Sequence, residues 1–198
     1  MKTITNLREL DELVAQQLGY VKYTWEKECS KFTPGASWVN GSEYYAVTCS
    51  TYIPKELYDK TDEEWEADYE NNLVNKPYSG YYSPTGYYSS LNNFITSTDY
   101  EIPYFSSDYS AMEEVLNYFS IDKIRVNISK DQQLTKVELA FINSLGYYPN
   151  NTSDYTIRCG NVGNRSSCQA DCTINSLPLA ISLLLLKYKN INVKVKIK

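Results

Sequence analysis

Histidine is absent from the sequence, and arginine is confined to Arg8, Arg125, Arg158 and Arg165. Without an imidazole, the commonest general base and the commonest nitrogen ligand for a transition metal are both missing. No Gly-x-Ser-x-Gly elbow, Walker-type phosphate loop or Gly-x-Gly-x-x-Gly fingerprint occurs either. Acidic runs such as Asp62–Glu63–Glu64 and Glu113–Glu114 are present. Adjacent charges on a helix point apart, so these read as solvated faces. The expectation is a protein that is not an enzyme and carries no cofactor and no metal.

Positive charge is also short. The formal net charge is −5, and a nucleic-acid backbone calls for a basic face. The alternating tail KYKNINVKVKIK reads as an edge strand guarded by lysines, so a polynucleotide partner is not expected. No apolar run reaches the ~20 residues that span a bilayer, and MKTITNLREL has no signal-peptide core. A cytoplasmic protein with no membrane partner is expected. The five cysteines are odd in number and favour reduced thiols over a disulfide framework. Cys159, Cys168 and Cys172 lie close in sequence; a zinc site and a single disulfide are the alternatives to buried free thiols.

What the chain has in excess is tyrosine, 20 against 5 phenylalanines. Tyrosine brings contact area with a polar tip and few rotors, which suits a binding surface; codon bias in an AT-rich genome is the competing explanation. Five of these phenols, Tyr78, Tyr81, Tyr82, Tyr87 and Tyr88, sit among Gly80, Pro84 and Gly86 in residues 77–94, a row of turns. Residues 26–100 as a whole read as a long tyrosine-rich insertion or elaborated loop within a single domain spanning residues 1–198.

The remaining segments alternate between helix and strand. Residues 5–18 carry Leu7, Leu10, Val14 and Leu18 on one stripe with Gly19 as a left-handed stop. Residues 20–25 and 43–53 read as strands, and 60–73 as a helix capped by Thr61 and anchored by Trp65. Residues 107–119 form a helix capped by Ser106 or Ser107, followed by a strand at 123–129. Residues 134–145 place Leu134, Val137, Phe141 and Leu145 on a helical face, although VELAFIN can also be read as a strand. A strand at 154–160 and another at 191–197 flank CTINSLPLAISLLLLKY, capped by Ser176 with Pro178 in its first turn. Read as a helix it is apolar around its whole circumference and must be buried on all sides, with a buried strand as the lesser reading of so short an apolar run. Strands and helices mixed in this way give a layered α/β or α+β domain.

Three segments carry a family resemblance. LDELVAQQLGY (residues 10–20) resembles the opening helix of the phage ABA-sandwich domain family, and PYFSSDYSAMEEVLNYF (103–119) is similar to its turn leading into a helix. ADCTINSLPLAISLLLLKY (170–188) resembles its closing helix. The resemblance implies a small phage or prophage protein of the α+β class, with an antiparallel sheet sandwiched between helical layers. Residues 26–100, the segment 134–145 and the final strand depart from that compact pattern.

These readings converge on a non-enzymatic binder of a small nucleotide-derived ligand, in the manner of a phage counter-defence protein that sequesters a host immune signal. The five loop tyrosines and Trp25 supply stacking faces, and the turn Phe105–Ser106–Ser107 opens a helix whose amides favour an anion. Arg125, Arg158 and Arg165 are the cations available to a phosphate. The alternative is a module that binds a host or phage protein directly; a homo-oligomer fits either.

Overall fold

The computed structural model describes residues 2–32, 42–70, 91, 94–95, 100–141, 155–160 and 171–196. The class is mixed α+β. The chain divides into two compact units, Met1–Gly19 together with Ile102–Lys198, and Tyr20–Glu101.

The first unit comprises β1 (Lys2–Ile4), α1 (Leu7–Gln17), α4 (Tyr109–Ile121), β4 (Ile124–Lys130), β5 (Leu134–Phe141), β6 (Thr156–Gly160), α5 (Leu177–Tyr188) and β7 (Val193–Val195). The leucine-rich segment is α5, and every residue from Pro178 to Leu186 is buried. Ser176 caps it by accepting from the Leu179 N–H, with proline in the first turn as expected. Around it pack α1, α4, β5 and β6. Burying each leucine side chain contributes about 1.5–3 kcal/mol, so α5 is the main apolar contribution to this unit. In α1, Asn6 caps the first turn and Leu10, Val14 and Ala15 face inward. Gly19 follows at φ 92°, a left-handed stop.

Two expectations are corrected here. Residues 134–141 are not a helix but the central strand of the antiparallel sheet β4-β5-β6. Val137 and Phe141 belong to a 3.6-residue stripe and equally to the alternating set Thr135, Val137, Leu139, Phe141. Pairing to a strand on each side satisfies the backbone along β5 and decides between them. The cap of α4 is not Ser106 or Ser107 but Asp108, whose carboxylate accepts from the Ser110 N–H at 3.0 Å. Ser106 is turned inward and 1% exposed. The structure also adds β1, which pairs in parallel with β7 and joins the two ends of the unit.

Register assigns the faces of the three-stranded sheet, because paired residues share a side. Ile124, Thr135, Val137, Leu139, Ile157 and Cys159 are buried on the side toward the helices. The opposite side carries Arg125, Asn127, Lys136, Glu138 and Arg158 together with buried Ala140 and Thr156.

The second unit is built on an antiparallel ribbon, β2 (Val21–Phe32) with β3 (Ser42–Ile53), paired residue for residue over its length. The expected strand at 20–25 therefore runs on to residue 32. A short helix α2 (Lys55–Tyr58) and α3 (Asp62–Glu70) follow. Thr61 and Glu64 form a reciprocal capping box: the Thr61 N–H donates to Glu64 Oε2 at 2.8 Å and the Glu64 N–H to Thr61 Oγ1 at 3.3 Å. Trp65 is 1% exposed and packs with Ile53, Leu91 and Ile95, with Tyr23, Trp25 and Phe94 at the edge.

Candidate functional site

The turn at residues 102–108 is held from two sides within the first unit. Asp11, fully buried on α1, accepts a hydrogen bond from the Ser106 N–H at 2.8 Å. Ser182, in the middle of α5, donates its hydroxyl to the Phe105 carbonyl at 3.0 Å. The three segments that carry the family resemblance thus meet at one point, through Asp11, Phe105–Ser106 and Ser182. Arg8 donates to the Ile102 carbonyl at 2.8 Å, lies 4.0 Å over the Tyr104 ring, and approaches Asp11 at 3.7 Å.

Burial pushes the Asp11 carboxyl above the ordinary carboxylate range; the bond from Ser106 and the nearby Arg8 pull the other way and offset only part of that. The Ser106 hydroxyl lies close enough to favour the anion, yet it and Asp11 Oδ2 make no well-formed hydrogen bond. Phe105 and Ser106 are buried, while Ser107 is exposed. An internal carboxylate therefore already occupies the amide at which an external anion was expected to dock. The sequence held a signal for Asp11: it falls between Leu10 and Val14 on the apolar stripe of α1. Ser182, alone in a run of aliphatic residues, is a signal of the same kind.

The polar side of the sheet brings together two of the expected cations. Arg125 stands opposite Ala140 on β5 and Arg158 opposite Lys136. Four residues along β5 and two strand spacings place the two arginine Cα atoms roughly 16 Å apart in a flat sheet. Side chains leaning inward can bracket a ligand of nucleotide size across that span. Arg125 is exposed and Arg158 half-buried. Between them Lys136 pairs with Glu138 at 2.6 Å, so among the described residues of the three strands this side carries three cations and one acid. Lys136 was not among the expected residues; the β5–β6 register puts it beside Arg158.

Trp25, on β2 in the second unit, is half-buried. It stacks on Tyr23 with centroids 6.0 Å apart, and its indole N–H has no hydrogen-bond partner among the described residues. Tyr78, Tyr81, Tyr82, Tyr87, Tyr88 and Arg165 lie outside the described residues. Part of the tyrosine excess has a packing role: Tyr155 and Tyr188 meet Phe141 edge-on or tilted, and Tyr188 meets Phe119, closing one end of the core. Lys189 donates to the Tyr118 hydroxyl beside them.

Among the described residues no group of three or more acidic or thiol side chains is placed to hold a metal, and no helix is long and apolar enough to cross a membrane. Compared with known proteins, the chain matches no family model, no curated protein and no solved structure.

Proposed function

We propose that this chain is a phage-encoded, non-enzymatic binding protein that sequesters a small nucleotide-derived host immune signal in the cytoplasm of the infected cell. The observation that carries the reading is the strand register that groups Arg125, Lys136 and Arg158 on one side of the sheet. Guanidinium groups hold phosphate oxygens through paired N–H donors. A sequestering protein needs affinity and slow release and has no need of a catalytic base, in keeping with a chain that has no histidine. The phage origin and the finer architecture, a sheet sandwiched between helical layers, rest on the resemblance of residues 10–20, 103–119 and 170–188 to the ABA-sandwich family.

Isothermal titration against a panel of cyclic dinucleotides and ADP-ribose derivatives tests the proposal. Heat with at least one member, lost in the double variant Arg125→Ala, Arg158→Ala, supports it. No heat with any member from well-folded protein refutes it.

One observation favours a second reading, a module that binds another protein directly. On the ribbon, Val47 shares a face with Tyr23, Trp25 and Ile53 and is 38% exposed, an open apolar side chain beyond the core at its base and opposite Lys27. An exposed apolar side chain on a two-stranded ribbon is suited to docking on a partner. Capture of a host or phage protein that Val47→Asp abolishes and the double arginine variant retains would select this reading.

A further inference from the structure

We infer that Cys172 and Cys159 form an oxidation site in which Cys172 reacts with a small peroxide and Cys159 resolves the product to a disulfide. The two residues are bridge partners in parallel, one at the end of β6 and the other on the approach to α5. Their positions are pinned on both sides. The Gly160 N–H donates to the Cys172 carbonyl at 2.7 Å, the Asp171 N–H to the Arg158 carbonyl at 2.8 Å, and the Arg158 N–H to Asp171 Oδ2 at 2.8 Å. Bridged neighbours sit roughly 5 Å apart at Cα, inside the span a disulfide tolerates, so the bond can form without moving the backbone.

The roles are unequal. Both thiols are free in the structure, and the Ile174 N–H donates to Cys172 Sγ at 3.4 Å. The neighbouring Cys159 thiol, together with that N–H, lowers the Cys172 thiol to about 7. The neighbouring Cys172 sulfur first, and then burial, push Cys159 far up. Cys172, whose sulfur accepts a backbone N–H, is therefore the more acidic thiol and Cys159 the less acidic partner. Exposures of 3% and 0% exclude bulky disulfide reagents and leave a molecule the size of hydrogen peroxide as the oxidant.

The chemistry balances. Cys172 sulfur attacks one peroxide oxygen, the O–O bond breaks, and the departing hydroxide takes up the proton Cys172 had lost to become water. Cys159 sulfur then displaces the hydroxyl from the sulfenic acid; its proton leaves with that hydroxyl as a second water. Two thiols and one hydrogen peroxide give one disulfide and two waters. The product ties the end of β6 to the entry of α5.

The test is peptide mapping of the folded wild-type protein after treatment with hydrogen peroxide and alkylation, without reductant. A peptide pair joined through Cys159 and Cys172, and separated by dithiothreitol, is expected. Cys168→Ser should cross-link as the wild type does, and Cys159→Ser should instead give a dimedone adduct at Cys172. Cross-linking through Cys168, or full alkylation of both thiols in denaturant after peroxide treatment, overturns the assignment. Should Cys159→Ser fail to fold by circular dichroism, the wild-type map still decides.

Discussion

Replacing Asp11 separates two reasons for a buried carboxylate, the hydrogen bond it accepts and the charge it carries. Asp11→Ala leaves the Ser106 N–H without its acceptor in a place water does not reach. Losing a hydrogen bond to a charged acceptor costs about 1.5–3 kcal/mol. Relief of the buried charge returns part of that. Arg8 loses a partner 3.7 Å away but keeps the Ile102 carbonyl and the Tyr104 ring. A net loss of about 1–3 kcal/mol at neutral pH is expected for Asp11→Ala. Asp11→Asn keeps an acceptor oxygen and removes the charge, so it should lie within about 1 kcal/mol of the wild type.

The pH dependence follows from the raised carboxyl. Between the unfolded value of roughly 3.9 and the higher folded value, the native state binds more protons, so wild-type stability falls as pH rises through that window. Asp11→Asn does not titrate there. Its stability relative to the wild type should climb with pH across the window and level off above it. Urea unfolding followed by far-ultraviolet circular dichroism measures this; the tryptophans all fall in residues 20–101 and do not report directly on α1. Equal losses in the two variants, or a wild type that gains on Asp11→Asn as pH rises, would show that ion pairing outweighs burial and refute the reasoning.

Gly160→Ala should lose at least about 3 kcal/mol by chemical denaturation, since φ is 117° and a Cβ would meet the Gln133 carbonyl oxygen at 2.1 Å; a loss below about 1 kcal/mol contradicts the geometry. Thr61→Ala removes half of a capping box worth about 1 kcal/mol, so hydrogen exchange across α3 should speed up roughly fivefold, with α5 unchanged. Arg125→Ala and Arg158→Ala should each weaken binding of the anionic ligand by about tenfold or more while leaving the melting temperature in place, because neither side chain is in the core. A lowered melting temperature with unchanged affinity would remove both residues from the proposed site.

Local signals were sufficient for some elements and insufficient for others. The all-apolar circumference of α5, with Ser176 and Pro178 at its start, determined both its helicity and its burial, because no exposed face was available to it. The stripe of α1 and the capping box of α3 were equally legible, since each is written in residues three or four apart. β5 was not, because Val137 and Phe141 fit both periods, and only pairing to β4 and β6 decides between them. The inward turn of Ser106 needed Asp11, 95 positions away, which left Asp108 to cap α4. β1 is three residues long and exists as a strand only because β7 returns beside it. The grouping of Arg125, Lys136 and Arg158, and the pairing of Cys159 with Cys172, likewise belong to register and not to spacing. A side chain's neighbours along the chain are set by the sequence, but its neighbours across a sheet are set by contacts that form only when the chain has folded.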